Sequence, residues 1–243
     1  MIVDRKKIVI TGGTSGIGYE LVKQLHSNNE VIVIARDQAK LCQLKENFKN
    51  IKIYSADLSN LQEVNEVADR ILCEYDCLDM LINNAAMQQT TTFDCSEFDY
   101  ESISREITLN FTAVCSLCYL LLPRLIHESQ AVILNINSGL GLVAKKSSAI
   151  YCGTKGGLNI FSHSLRHQLA ETNVDVFQTF LGLVDTAMTT GRGKNKLAPE
   201  KAAAMIIQGV RGNVLDQDIG KVKLLRLLSR FLPAVARLIM KQQ

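Results

Sequence analysis

Two side chains that can share a proton stand four residues apart in the second half of the chain, Tyr151 and Lys155. On a helix, positions i and i+4 lie on one face about one turn apart. A free phenol has a pKa of roughly 10 and is a poor acid or base near neutrality, so it needs an adjacent cation to stabilise the phenolate. With Lys155 as that cation, Tyr151 can protonate a developing alkoxide or take the proton from an alcohol. Upstream, the run Asn135-Ile136-Asn137-Ser138-Gly139 follows a β-branched stretch and offers the Ser138 hydroxyl as a donor to a substrate oxygen. A serine-hydrolase nucleophile wants G-x-S-x-G, and Ile136 stands where the first glycine belongs. A Tyr-x-x-x-Lys pair is also common on plain helix surfaces, so its meaning depends on what surrounds it.

A phosphate-binding turn is the second chemical signal. Thr11-Gly12-Gly13-Thr14-Ser15-Gly16-Ile17-Gly18 lies directly after an apolar run and before a segment with Leu21, Val22 and Leu25 on one helical face. Glycines permit the tight turn and let backbone N–H groups approach a pyrophosphate, while the helix N-terminus turns its partial positive charge toward it. Counted from Gly12 the spacing is G-x-x-x-G-x-G, unlike the usual dinucleotide G-x-G-x-x-G.

About 20 residues beyond such a turn, a carboxylate ordinarily reads the ribose 2′-hydroxyl. Here the second strand ends Ile34-Ala35-Arg36-Asp37. If Ala35 is the reading position, nothing repels a 2′-phosphate and Arg36 can pair with it, with the Ser15 hydroxyl nearby. NADP(H) is then the expected cofactor. NAD(H) remains the alternative, with Asp37 on the ribose and Arg36 in solvent.

These residues need a frame. Short β-branched runs, each followed by a segment of helical period, predict strands at 7–11, 30–35, 51–56, 78–82, 131–137 and 174–180. Helices fall near 16–28, 37–48, 60–74, 101–127 and 149–171. The pattern predicts an α/β single-domain doubly wound Rossmann fold with a mostly parallel sheet and helices on both faces. Its ligands would sit outside the carboxyl ends of the strands. Beyond 182, a helix is expected over Pro199–Gly212, with an edge strand at 214–219 burdened by two aspartates. The catalytic domain is read as 1–220 and the tail as 221–243.

The combined motifs resemble the short-chain dehydrogenase/reductase family, in its compact branch, over nearly the whole chain. Besides the glycine loop (Gly12, Thr14, Ser15, Gly16, Ile17, Gly18), the likeness includes Asp57-Leu58, similar to the pair that contacts adenine. It also includes Asn83-Asn84-Ala85-Ala86, which resembles Asn-Asn-Ala-Gly, and the set Asn110, Ser138, Tyr151 and Lys155, which matches the catalytic tetrad. The resemblance implies Tyr151 as general acid/base, Ser138 polarising a carbonyl, and Lys155 lowering the phenol pKa and holding the nicotinamide ribose. It further implies that Asn110 holds a relay water, that Asn83 and Ala85 line the cofactor, and that Val184 and Thr186 contact the carboxamide. Ala86 for glycine and Leu181-Gly182 for Pro-Gly depart from the pattern without removing a catalytic group.

The expected activity is hydride transfer between NADP(H) and a small-molecule alcohol or carbonyl. A catalytically silent nucleotide sensor and a membrane-attached scaffold are the alternatives from other classes. Gln88, Gln89, Leu140, Leu142, Leu183 and Met188 are candidate pocket residues, under a short lid at 186–198. Family likeness implies a homodimer or homotetramer. Net charge is only +3, which argues against nucleic acid as a partner, and the run Ile8–Ile10 is too short for a signal or a span. Seven unpatterned cysteines fit reduced thiols, and a cytoplasmic location is expected. No metal site is expected: Cys115 and Cys118 sit in an apolar run, and His163 and His167 lack the intervening Glu of H-E-x-x-H.

The tail stands apart. Six of the 27 basic residues and none of the 24 acids lie between Lys221 and Gln243, leaving the rest of the chain at −3. Its alternation of basic and apolar residues is helical and similar to tails of DltE-like oxidoreductases. A terminal helix packed on the body, a subunit contact and a peripheral membrane contact are all open from sequence.

Overall fold

The structure, a computed structural model, describes residues 3–241. Its sheet has seven parallel strands in the order β3-β2-β1-β4-β5-β6-β7. In chain order these are β1 (Lys7–Thr11), β2 (Glu30–Ala35), β3 (Ile51–Ser55), β4 (Met80–Asn83), β5 (Ala131–Ser138), β6 (Val174–Leu181) and β7 (Asp216–Ile219). The helices are α1 (Gly16–Leu25), α2 (Gln38–Asn47), α3 (Leu61–Glu74), α4 (Glu101–Ile107), α5 (Ala113–Leu125), α6 (Ala149–Gln168), α7 (Pro199–Arg211), α8 (Val222–Phe231) and α9 (Pro233–Lys241).

Strand periodicity builds two cores. Ile8, Ile10, Val31 and Val33 face one side with Leu21, Val22, Leu41 and Ile206, whereas Val9, Ile32 and Ile34 face the other with Val64, Ile71, Leu117, Leu121 and Leu158. Because both faces are covered, the strands read as unbroken apolar runs, as parallel sheets require. The chain reverses its winding between β1 and β4, and the crevice outside their carboxyl ends is where such a sheet takes a ligand.

Two differences from the sequence expectation, and the presence of the expected edge strand, have physical causes. The fourth strand starts at Met80, because the Leu78 N–H is drawn to the carbonyl of Arg124 instead of a ladder partner, at 2.8 Å. The edge strand tolerates its aspartates because each meets an arginine: Arg166 donates to Asp216 at 3.1 Å, and Arg226 to Asp218 at 2.6 Å. The single helix expected at 101–127 is broken by a π turn, Thr108–Thr112, between α4 and α5. A wide turn of this kind is frequent at functional positions, and it contains Asn110. The run Glu101–Leu125 is long and apolar enough to cross a membrane, yet its Val114, Leu117, Leu121 and Leu125 are core residues against the sheet.

Candidate active site

The glycine loop is shaped by close approaches. Gly12 and Gly16 have φ of +69° and +54°, and a Cβ on Gly18 would fall 2.1 Å from the Gly12 carbonyl oxygen. Only glycine leaves this cradle open at the N-terminus of α1. Two residues quoted in the sequence motifs without a role of their own hold it in place. Thr11 Oγ1 accepts the backbone N–H groups of Asn84 and Ala85 at 2.9 and 3.0 Å, and Asn84 Nδ2 returns donations to the Thr11 and Gly12 carbonyls at 2.9 and 3.2 Å. The ends of β1 and β4 are thereby stitched together where the crevice opens. Thr186 lies across the loop, its methyl 3.0 Å from where a Gly16 Cβ would stand. It caps the 3₁₀ turn Ala187–Thr189, and the preceding Val184 is buried and bridged to Leu197.

At the end of β2 the two competing side chains have separate lives. Asp37 is the N-cap of α2: its carboxylate accepts the Lys40 N–H at 3.0 Å, and that contact holds its pKa below the usual value. Arg36 is exposed, with no side-chain partner among the described residues. Ala35 is buried at the strand end. Asp57 Oδ1 accepts the backbone N–H and hydroxyl of Ser59 at 2.9 and 2.7 Å, fixing the turn after β3 in which Leu58 is buried.

Asn83 sits differently from a cofactor-facing side chain. It is buried and donates to Asn135 Oδ1 at 2.9 Å, tying β4 to β5, so only its backbone can meet a ligand in the crevice. Asn110 is also turned inward. Its Oδ1 accepts the Met87 N–H at 2.9 Å, and its Nδ2 donates to the Met87 carbonyl at 2.8 Å and to Thr154 Oγ1 at 3.4 Å. Both ends of the amide are engaged, so this side chain clamps the segment after β4.

Ser138, Tyr151 and Lys155 converge as expected. Ser138 ends β5, and its Oγ accepts the Leu140 N–H at 3.1 Å. Tyr151 and Lys155 occupy the first turns of α6, whose N-cap, Ser148, adopts a left-handed conformation (φ 78°). Lys155 Nζ donates to the Ile136 carbonyl at 2.8 Å, and burial pulls its pKa down to about 8. Burial pushes the Tyr151 phenol up to about 12, against the opposing pull of a hydrogen bond from Ser138. Lys155 Nζ stands 5.7 Å from the centre of the Tyr151 ring.

Two further charges reach the centre, and neither carried a sequence signal. Glu106 lies on α4, is 1% exposed, and is pushed up to about 7 by burial; its Oε1 has no hydrogen-bond partner among the described residues. Its negative charge raises the Tyr151 pKa, while Arg192 lowers it. Arg192 reaches across from the 186–198 segment to donate to Gln88 Oε1 at 2.9 Å, and also bonds the Met188 carbonyl. Gln88 in turn donates to Ser148 at 3.0 Å. Of the other candidate pocket residues, Leu183 and Met188 are exposed, whereas Leu140 and Leu142 pack under α8 and α9. Cys115 and Cys118 lie on α5, where burial raises both thiols, to about 11 and about 12.

A doubly wound sheet with a glycine cradle at its switch point, and a half-buried Ser138 with buried Tyr151 and Lys155 beside it, defines a nucleotide-dependent oxidoreductase architecture. The family model for short chain dehydrogenases matches residues 6–197. The oxidoreductase DltE of Bacillus subtilis (strain 168) is 35% identical over 189 residues, covering 77% of this chain and 75% of that protein. An oxidoreductase of Staphylococcus aureus (strain USA300) is 28% identical over 212 residues, covering 85% and 91%. Among solved structures, a short-chain dehydrogenase of Burkholderia cenocepacia J2315 in complex with NADP superposes with a TM-score of 0.88 at 20% identity, covering 99% of both chains. A short-chain dehydrogenase of Streptomyces avermitilis gives 0.83 at 22% identity, covering 98% and 96%. The chain belongs to the short-chain dehydrogenase family and is an oxidoreductase of that family.

Proposed function

We propose that the protein interconverts an alcohol and a carbonyl compound with NADP(H), using Tyr151 as the general acid/base. The observation that carries the cofactor choice is the division of labour after β2. Asp37 turns Oδ1 to the cap of α2 and sets Oδ2 3.6 Å from Lys40 Nζ, while Arg36 stands exposed for a 2′-phosphate. The Burkholderia relative in complex with NADP agrees with this choice. The cradle fits the cofactor's pyrophosphate, because a side chain at Gly18 would collide with the backbone and so fill it.

When bound, the nicotinamide supplies or accepts the hydride. The chain's own residues handle the oxygen. Ser138 donates a hydrogen bond to the carbonyl oxygen, and the Tyr151 hydroxyl passes its proton to that oxygen as negative charge develops. Lys155, anchored to the Ile136 carbonyl, keeps its remaining donors for a ribose hydroxyl and its charge near the phenol. In the reverse direction the phenolate takes the proton from the alcohol. Burial raises the phenol pKa and keeps the hydroxyl protonated at rest, and the Lys155 charge opposes that rise by favouring the phenolate, as transfer in either direction requires.

The test is cofactor oxidation by the purified protein over a panel of aldehydes and ketones, with NADPH and NADH in parallel. Turnover with NADPH preferred is expected. Turnover only with NADH would overturn the cofactor reading, and failure to bind either nucleotide would overturn the enzyme reading.

A further inference from the structure

The last two helices carry a surface that the oxidoreductase site does not use. α8 and α9 pack against each other and each turns one face inward. Val222, Ala236 and Met240 are buried, and Leu225 and Leu228 close over Leu140, Leu142 and Val143, in the segment after Ser138. The seat is tight: a Cβ on Gly139 would meet Leu225 and Val222 at 3.2 Å. A terminal helix packed on its own domain needs only this one apolar face.

α8 has a second one. Leu224, Leu227 and Phe231, spaced i, i+3 and i+7, point away from the body and are 60%, 56% and 68% exposed. α9 repeats the arrangement with exposed Val235, Leu238 and Ile239. A contiguous exposed apolar face is uncommon on a soluble monomer and marks an interaction surface.

Charge decides what covers it. Of the tail's bases, Arg226 is neutralised internally, donating twice to Asp218 at 2.6 and 2.7 Å with its guanidinium 4.5 Å from the centre of the Phe180 ring. Lys221, Lys223, Arg230, Arg237 and Lys241 are exposed and form no ion pair among the described residues. By helical position, Lys223 and Arg230 border the Leu224–Phe231 stripe, and Arg237 and Lys241 border the stripe on α9. A second copy docking by the same face would set cation against cation, since a two-fold contact pairs a patch with itself. An anionic lipid surface satisfies both features: apolar side chains enter the boundary region while the bases meet the head groups.

We propose that α8 and α9 dock the protein onto an anionic lipid surface. Leu224, Leu227, Phe231 and Leu238 enter the interface, and Lys223, Arg230, Arg237 and Lys241 hold the head groups. Because the inner face of the same helices covers the segment after Ser138, docking brings the catalytic crevice close to that surface.

The test is sedimentation of the full-length protein with vesicles of phosphatidylcholine, alone or mixed with phosphatidylglycerol. Binding to the mixed vesicles, absent from the neutral ones and weakened by salt, is expected. Replacing Lys223 or Arg230 by Glu should weaken it by at least roughly fivefold per site, the equivalent of about 1 kcal/mol per base. The double variant Leu227→Ser/Phe231→Ser should abolish it. Both positions are exposed, so NADPH affinity and melting temperature should be retained and serve as the folding control. No sedimentation with either vesicle, or equal sedimentation with both, would overturn the proposal. So would a solution dimer that Leu227→Ser/Phe231→Ser converts to monomer without any vesicle binding, which would give the face to a second copy.

Discussion

Lys155 Nζ lies 5.7 Å from the centre of the Tyr151 ring and makes its hydrogen bond to the Ile136 carbonyl, not to the phenol. With burial the main cause, the phenol sits at about 12 in the protein without cofactor. Its ionisation is therefore expected well above that of a free tyrosine. A difference titration of tyrosinate absorbance, wild type minus Tyr151→Phe, should show no ionisation between pH 8 and pH 10, with numbers set by the ordinary phenol value of roughly 10. In the same cofactor-free titration, Lys155→Met should move the phenol little. A large upward move would mean that the ammonium already governs the phenol before cofactor binds.

Arg36 and Asp37 are separable by mutation. Arg36→Ala should weaken NADPH binding by roughly tenfold or more, the scale of one charge-assisted contact, and leave NADH binding unchanged. Asp37→Ala should cost about 1 kcal/mol of stability through the lost cap of α2, without selectively weakening NADH. Titration of both nucleotides against both variants checks this, and NADH weakened by Asp37→Ala would return the ribose to that carboxylate.

Two glycines near the site should respond in opposite directions. Gly18→Ala forces a Cβ to 2.1 Å from the Gly12 oxygen, so the loop must shift and cofactor affinity should fall sharply along with the melting temperature. Gly153, exposed on α6 two residues after Tyr151, has nothing within 4 Å of a Cβ. Gly153→Ala should stabilise the protein by roughly 0.5–1 kcal/mol through the unfolded chain and helix propensity, with turnover retained. Thermal melts and nucleotide titrations read both.

Glu106 ties stability to pH. Its folded pKa is raised from 4.5 to about 7 by burial, so between those values the folded protein holds a proton that the unfolded chain has released. This contribution to stability is fully present below the unfolded value and is lost as pH rises toward and past the folded one. Glu106→Gln mimics the protonated form. It should be more stable than wild type above neutrality, by on the order of 3 kcal/mol, and the two should converge in acid. Denaturant melts across that range measure the difference, and parallel curves would contradict the assignment.

Much of this site is legible in the chain because its parts are local. The strand-turn-helix around Gly12 to Gly18 and the i, i+4 pair Tyr151 and Lys155 carry their geometry in their spacing, and the alternation of Ile8, Val9 and Ile10 between the two cores follows from strand period. What escapes is set by distant partners. Thr11 looks like any β-branched strand end until Asn84 meets it. The π turn at Thr108–Thr112 inserts one residue into an apolar helix without any Gly or Pro to announce it. Glu106 reads as a surface acid, and only the packing of α4 reveals that it is buried. Asp37 was ambiguous for a different reason: a cap and a ribose ligand ask for the same residue at the same place.

The central claim is that the Tyr151 hydroxyl moves the proton while the rest of the site binds cofactor and substrate. Its most direct measurement compares wild type and Tyr151→Phe for NADPH affinity and for turnover of the best carbonyl substrate. The expected result is unchanged NADPH affinity with kcat reduced by roughly 10² to 10⁴, the usual contribution of a positioned general acid. Undiminished turnover in Tyr151→Phe, with NADPH bound as before, would contradict it.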